Sequence, residues 1–412
     1  MEIRPILSAL LRSKTGAILV ALQVAISLAI LTNALHIVGV RQAVAARPTG
    51  IAGENSVFYI RVRHLVEGSH QQQIARQQSE TQALRAIGGV ASAAFASQAP
   101  ISRSGWTTSL AATRTPGADT SPGAMYYSSD SLVDTWGLKL VQGRDLRPDD
   151  VVDIDGKTSP EELFPKSVLM TRALAGKLWP GAAGVLGKTV YFGTSPDGNA
   201  ATVVGVIDTL QTQNGELAAR GDYALIVPIR QSFSPAMYTV RAEAGQLDRV
   251  MKEAEATLRA SNQGRAIITM QTAAADRKER YRADMALSWM LIAVSVLLLL
   301  ITASGIVGMA SLWVTQRRKQ IGVRRALGAR RTDILRYFIT ENFMITSVGV
   351  LCGVALSVAL NQLLVSRLEM ARLPLAYLAV GAGVFWALGV AAVYGPAWRA
   401  ASISPATATR SA

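Results

Sequence analysis

Three histidines and a single cysteine are the whole stock of soft metal ligands in this chain of 412 residues. A structural zinc site needs four Cys or His ligands at short, regular spacing. His64 and His70 have no third ligand at such a spacing, and Cys352 stands alone, so neither a zinc centre nor a disulfide framework is indicated. Both histidines are expected to be solvated surface groups. The stretch Gly181–Thr189 (GAAGVLGKT) approaches a phosphate-binding loop, in which a glycine-rich backbone and a lysine cradle phosphates at the start of a helix. Its spacing is out by one residue, because the first required glycine falls at Ala182. Val190, Tyr191 and Phe192, which follow, read as a strand, so Gly187 and Lys188 are expected in a turn entering it. No catalytic cluster emerges, and no cofactor, metal or nucleotide site is assigned.

The elements that would have to position any chemistry are mostly apolar. Hydrophobic residues make up 50% of the chain and charged residues 17%, and the mean hydropathy is +0.26. A soluble protein carries about a quarter charged residues. Four windows, Thr15–Val40, Ala286–Val314, Ile339–Val365 and Leu375–Pro396, are long enough to cross a bilayer and contain Glu341 as their single formal charge. The first is too long for a signal-peptide core and lacks a small-residue cleavage site, so an uncleaved anchor is expected. The short segments 1–14, 315–338 and 397–412 together carry thirteen basic residues (Arg4 and Arg12 among them) against Glu2 and Asp333. Segment 41–285 is nearly balanced, with 27 basic and 24 acidic residues. The positive-inside rule then places both termini and the 315–338 connection in the cytoplasm and 41–285 outside, with 366–374 as a short external loop. A net charge of +14 would suggest nucleic-acid binding in a soluble chain. Here the basic excess lies beside membrane spans, where topology and anionic lipid account for it, and no nucleic-acid partner is expected.

Residues 41–285 read as an α+β domain, either a single body or two small lobes. Ser56–Arg63 alternates as a half-buried strand does, Gln71–Ile87 is helical and stopped by Gly88 and Gly89, and Val168–Trp179 reads as a short helix. Ala201–Val206 and Tyr223–Ile229 read as strands, and Leu247–Ala260 as a helix with alternating charges.

Within the spans, Ala17, Ala21, Ala25 and Ala29 recur every four residues, Gly349 and Gly353 form a GxxxG pair, and Ser304 and Gly308 a small-xxx-small pair. Such rows let helix backbones approach closely in lipid, within one chain or across a dimer. Polar groups (Gln23, Asn33, His36, Glu341, Asn342) are too sparse for a conduction path; Glu341 could pair with an arginine such as Arg336. The connection Gln316–Tyr337 reads QRRKQIGVRRALGARRTDILRY. Ile321, Val323, Ala326 and Leu327 give a short helix an apolar edge, Gly328 suits its C-terminal cap, and Thr332 or Asp333 can start the next helix. This is either a helix shaped to press into a groove on a cytoplasmic partner or a basic loop that sets topology.

The connection resembles the signature of MacB-like/FtsX-like ABC transporter permeases: Gly322, Arg324, Ala326, Gly328, Ala329 and Asp333 fall in register with it, and Phe338 and Glu341 with the following span. Gln320 departs from it, standing where the family usually has glutamate. The tail residues Pro396, Arg399, Ala400, Ala401 and Pro405 are similar to the family's ending, and Asp134–Asp150, Val168–Gly187 and Thr202–Val206 follow the order of its periplasmic core domain. The resemblance implies a bacterial inner-membrane protein with four transmembrane helices and an α+β periplasmic core domain inserted between spans 1 and 2, without its own ATPase. It implies a dimer, with an identical chain or a paralogue, that binds a separate ATP-binding subunit through a coupling helix. The implied docking residues are Ile321, Gly322, Val323, Arg324, Arg325, Ala326, Leu327 and Gly328, with Glu341 orienting the connection. Long first and second helices would carry ATP-driven movement to the external domain, which is mechanotransmission. Export of a peptide, antibiotic or lipid-like compound with a periplasmic membrane-fusion adaptor is the favoured use. Lipoprotein release and control of wall hydrolases are the family's others. A membrane-anchored sensor would need a cytoplasmic signalling domain after span 2, where a 24-residue connection stands instead.

Overall fold

The structure, a computed structural model, describes residues 14–66, 68–115, 117–155, 163–195, 198–215, 219–262, 266–368 and 372–402. Glu2, Arg4, Arg12, Pro405 and Arg410 lie outside the described residues. The helices are α1 (Lys14–Ala46), α2 (His70–Arg85), α3 (Leu132–Trp136), α4 (Arg172–Leu178), α5 (Leu247–Ser261), α6 (Ala273–Gln316), α7 (Arg318–Ala326), α8 (Arg331–Leu368) and α9 (Leu375–Ala401). The chain divides into two bodies, Val44–Ala283 and a second built from Met1–Ala43 with Asp284–Ala412.

The second body contains the apolar parts of α1, α6, α8 and α9, each long enough to cross a membrane. Of the apolar window of α1, 56% is buried, against 17% in α6 and 33% in each of α8 and α9, so α1 is the central helix. Burying apolar surface gives helices in lipid no drive to associate, so close backbone packing and hydrogen bonds must do it. Both are present. The small rows of α1 and α8 face each other: a Cβ added to Gly349 would stand 2.7 Å from the Ala21 carbonyl oxygen, and one on Gly353 3.0 Å from that of Ala25. Ala25 and Ala29 are buried, and Ala17 and Ala21 pack against the buried cluster that holds Val20, Val24 and Leu28. The close approach is therefore made within the chain.

Polar side chains cross-link the same helices. Gln23 Nε2 donates to the Ile301 carbonyl at 3.0 Å, with its amide lying over Gly305, and Ser27 shares a 2.9 Å hydrogen bond with Thr302. Thr32 bonds Ser357 at 3.0 Å, Asn33 Nδ2 donates to the Ser357 carbonyl at 3.2 Å, and Asn342 Nδ2 to the Gly389 carbonyl at 2.9 Å. Arg41 pairs with Asp284, and Gly16 abuts Met309 and Trp313. The partners 16 with 309, 23 with 301 and 41 with 284 run in opposite order, so α1 and α6 are antiparallel along about 37 Å. Ser304 and Gly308 behave differently from the other small pairs. Both are exposed, and among the described residues no heavy atom lies within 4 Å of a Cβ built on Gly308, so this face of α6 is left uncovered by them.

In the first body, β1 (Val57–His64), α2 and β2 (Val90–Phe95) form one βαβ half, and β12 (Ala236–Ala242), α5 and β13 (Ala266–Thr272) the other. They make a four-stranded antiparallel sheet in the order β13-β1-β12-β2, the split βαβ arrangement. Between β2 and β12 the chain builds β3 (Thr107–Ala111), β4 (Thr120–Tyr127), β5 (Leu140–Gly143), β6 (Val152–Asp153), β7 (Ser167–Thr171), β8 (Thr189–Phe192), β9 (Ala200–Ile207), β10 (Ala224–Val227) and β11 (Ile229–Arg230). Seven of these form a mixed sheet in the order β5-β9-β7-β10-β4-β3-β8; β8 also pairs with β9, closing it on itself, while β6 pairs with β11. Phe58, Ile60 and Val62 of β1 pack under α2 and α5, and Val57 and Tyr59 face a second cluster with Trp136 and Tyr126. Strand β1 is thus buried on both faces, where alternation had indicated one, because the inserted sheet covers the other.

Two further readings change. Val168–Thr171 belongs to strand β7, not to a helix; the helix starts at Arg172, with Thr171 as its cap accepting from the Leu174 N–H. The run VLMT is fully buried between β9 and β10, which makes it a strand despite its helix-forming leucine and methionine. His64 is not a solvated surface group: its Nε2 lies 2.9 Å from Glu80, which is 2% exposed and also accepts from Tyr238 and Asn262. Burial raises the Glu80 carboxyl, but these three bonds together outweigh it and hold the group below the ordinary glutamate value. His70 bonds the Ser232 hydroxyl at 3.1 Å.

Gly349→Val and Gly353→Val should each destabilise the membrane body by about 1–3 kcal/mol, through overpacking against α1. Thermal unfolding in detergent reads this, with Gly383→Val, which points into open space, as the unchanged control. In the first body, the hydrogen bond from Arg144, opposed by burial and helped by the Arg147 N–H, holds the Asp150 carboxyl down to about 2. Its contribution is therefore complete above the unfolded value near 3.9 and lost as the pH falls through about 2. Asp150→Asn should cost about 0.5–1 kcal/mol at neutral pH, as befits a partly solvated pair, and flatten the acid limb of unfolding midpoints measured from pH 5 to 2.

Candidate functional site

The connection between the second and third membrane helices is built from α7 and the start of α8. Helix α7 stops where the sequence indicates. Gly328 takes φ +99°, a left-handed conformation that glycine adopts without a Cβ clash. The Ala329 N–H then reaches back to the Arg324 carbonyl at 3.1 Å, and the Gly328 N–H to that of Arg325 at 3.2 Å. Helix α8 begins at Arg331, one residue ahead of Thr332, and the Asp333 carboxylate caps it by accepting from the Arg330 N–H at 2.9 Å.

Six of the eight expected docking residues lie on two faces of α7, and Leu327 and Gly328 form its C-terminal cap and turn. Ile321 and Gly322 are buried; Ile321 joins the cluster that holds Trp313, Ile334 and Phe338. They fasten the helix to the membrane body and present no surface to a partner. The reason is helical period: residue 321 lies on the opposite side from 323 and 327. Val323 is 53% and Leu327 83% exposed, and four residues apart they form one apolar ridge. Arg324, Ala326 and Gly328 are also exposed, and Arg325 is half-buried with its Nη1 donating to the Ala329 carbonyl at 3.2 Å.

Glu341 is 1% exposed and accepts two hydrogen bonds from Arg317 Nη1, at 2.7 and 2.8 Å. Its partner is thus Arg317, not Arg336. The pair joins the residue that precedes α7 to the third turn of α8, so it sets how α7 leaves the membrane body. Tyr337 completes the joint, with the Arg324 guanidinium 5.2 Å above its ring centroid. Arg317, Gln320, Ile321, Arg324 and Tyr337 line a shallow cleft with room for about one water, roughly 20 Å³. Sequence reading missed Arg317 and Tyr337 as anchors, since one arginine among eight carries no mark. A lone acid near the start of the otherwise uncharged window Ile339–Val365, which must find a cation across the connection, was the available signal.

The phosphate-loop lookalike is a turn and a strand. Gly181 and Gly187 both have positive φ, β8 follows at Thr189, and Lys188 Nζ lies 5.5 Å over the Trp179 ring. Among the described residues no group of three or more His, Cys, Asp or Glu could hold a metal ion.

With this geometry in hand, residues 18–259 match the family model described as MacB-like periplasmic core domain, and residues 292–405 that described as FtsX-like permease C-terminal. A macrolide export ATP-binding/permease protein MacB of Bradyrhizobium diazoefficiens is 36% identical over 124 residues, which are 30% of this chain and 19% of that protein. A pyoverdine export ATP-binding/permease protein PvdT of Pseudomonas putida is 32% identical over 173 residues, 41% of this chain and 26% of that one. The matched stretches span about a fifth to a quarter of the length of these curated relatives. Among solved structures, the periplasmic region of MacB from Actinobacillus actinomycetemcomitans covers 58% of this chain and 97% of its own, at 17% identity and a TM-score of 0.36.

Glu341→Ala should strand Arg317 and destabilise the membrane body by about 3–5 kcal/mol, whereas Arg317→Met with Glu341→Leu should restore most of that loss. Limited trypsin digestion of the 317–331 arginines, alongside thermal unfolding, would measure both effects.

Proposed function

From the premise that this chain belongs to the MacB-like periplasmic core domain family and ends as an FtsX-like permease, we propose that it is the permease subunit of an export-type ABC transporter. A separate ATP-binding subunit docks on α7 and supplies the hydrolysis. The observation that carries this reading is the form of α7: a short helix fastened from behind by Ile321 and the Arg317–Glu341 pair, with the ridge Val323–Leu327 presented outward among arginines. An exposed apolar ridge of this kind suits a pocket on a partner, and its charged flanks suit an acidic rim. A loop that only set topology would need the arginines but not an anchored apolar ridge.

The work done on α7 would pass through the α1–α6 pair. Gln23, Ser27 and Arg41 tie these two helices along their length, so displacement at one end is carried to the other rather than absorbed between them. The buried polar side chains of the spans serve as such ties, which favours mechanotransmission over a conducting path. The excess of basic residues in the short segments supports a bacterial inner-membrane protein with both termini in the cytoplasm. The reading includes a second permease copy or paralogue, surrounding membrane lipids and a periplasmic membrane-fusion adaptor, as the family resemblance implies. The outward Ser304–Gly308 face of α6 supports the dimer.

Leu327→Asp and Val323→Asp should each lower co-purification of the ATP-binding subunit from native membranes at least tenfold, and abolish permease-stimulated ATP turnover, with unfolding midpoints unchanged. Lys252→Ala, on an exposed face of the other body, should change neither quantity. Full ATP turnover and recovery of the subunit in the Leu327→Asp chain would refute docking at α7.

A further inference from the structure

The far end of the membrane body, about 40–50 Å along α8 from Arg331, carries a cleft between the last turns of α8 and the start of α9. Its volume is about 400 Å³, within the range of roughly 300–1,000 Å³ usual for small-molecule sites. Val358 and Val365 of α8 and Leu375 and Leu378 of α9 form apolar walls. Leu375 is 81% and Val358 47% exposed, so apolar surface is left uncovered at the level where both spans end.

Two polar groups line the same cleft. Asn361 is 8% exposed, and its Oδ1 accepts from the Leu373 N–H at 3.0 Å. That bond fixes the amide, because a backbone N–H can only donate, and it leaves Nδ2 as a donor with no acceptor among the described residues. Nδ2 is not sealed off as Asn33 Oδ1 is, so an acceptor in the cleft can reach it. Arg372 is exposed at the rim. The described carboxylates of this body are engaged elsewhere: Asp284 with Arg41, Asp333 with the Arg330 N–H and Glu341 with Arg317. Among the described residues, the Arg372 guanidinium therefore keeps its charge available for an anionic group. A polar solute would leave the four aliphatic walls without a partner, and a bare acyl chain would leave Asn361 and Arg372 without one. An amphiphile with an oxygen-rich, negatively charged head meets both, and basic pockets between membrane helices take such head groups.

We propose that this cleft holds one anionic phospholipid of the surrounding bilayer, with an acyl chain along Val358, Val365, Leu375 and Leu378, a glycerol-ester carbonyl on Asn361 Nδ2 and the phosphate at Arg372. The lipid fills the gap between α8 and α9 and stabilises the folded body that holds it. The inference rests on the membrane helices alone and needs neither docking at α7 nor an ATP-binding subunit.

The test titrates the full chain, purified in detergent and stripped of lipid, with dioleoyl phosphatidylglycerol or dioleoyl phosphatidylethanolamine, and counts bound lipid by native mass spectrometry. One phosphatidylglycerol should bind saturably, about tenfold more tightly than phosphatidylethanolamine, and raise the unfolding midpoint. Arg372→Gln should bring phosphatidylglycerol down to the affinity of phosphatidylethanolamine. Asn361→Asp keeps an acceptor for the Leu373 N–H but loses the donor and adds a negative charge, so it should weaken phosphatidylglycerol at least tenfold. If Asn361→Asp does not fold, Val365→Trp, which fills the cleft from its half-buried wall, replaces it. Arg367→Gln removes a like charge outside the cleft and should change neither affinity. Lipid uptake without saturation, equal affinity for the two lipids, an unchanged preference in Arg372→Gln or an equal loss in Arg367→Gln would overturn the proposal. Displacement of the lipid by glycerol 1-phosphate would overturn it too, by marking a site for free phosphate esters.

Discussion

Close approach of the α1 and α8 backbones at Ala21, Ala25, Gly349 and Gly353 is the constraint on which the membrane body depends. In water, apolar side chains alone would gather four such helices. In lipid they would not, because the surrounding acyl chains offer the same contacts. Removing the side chains at the crossing brings backbone against backbone and makes dispersion contacts dense enough to count. Once α1 is held there, Gln23 and Ser27 reach α6, and Thr32 and Asn33 reach Ser357 on α8. Each tie satisfies a polar group that lipid cannot, so the ties specify register as well as adding stability.

The same buried cluster runs on into the basic connection, where Ile321 packs with Trp313, Ile334 and Phe338. A nine-residue helix is too short to persist alone in water. What holds α7 is this apolar anchor on one side, the Arg317–Glu341 pair at its start and the glycine turn at its end. A buried ion pair contributes little net stability against an apolar substitute, but it fixes geometry, because either partner alone is costly. The pair thus sets the direction of α7 more than its strength.

In the other body, a split βαβ sheet forms the frame, and the closed mixed sheet is inserted between its second and third strands. The frame is tied by one buried acid: Glu80 on α2 gathers His64 of β1, Tyr238 of β12 and Asn262 beyond α5. That network pins α2 against the sheet.

The four spans, the site of the inserted domain, the glycine cap at 328 and the small-residue rows could be read from the chain, because each is written in local composition or in a period of three to four residues. The family resemblance rested on the same short-range pattern at Gly322, Arg324, Ala326 and Gly328. Partners distant in sequence could not be read that way. The ion that neutralises Glu341 was one arginine among eight, and only packing selected Arg317 over Arg336. Small residues at 349 and 308 look alike in a sequence, yet among the described residues one meets α1 and the other meets no neighbour. Val168–Thr171 became a strand because β9 and β10 flank it, and Ile321 turned inward because Ile334 and Phe338 came to lie beside it. Sequence determined which segments enter the membrane and which residues could meet; the tertiary structure decided which of them do, since contact energy depends on neighbours that local pattern does not encode.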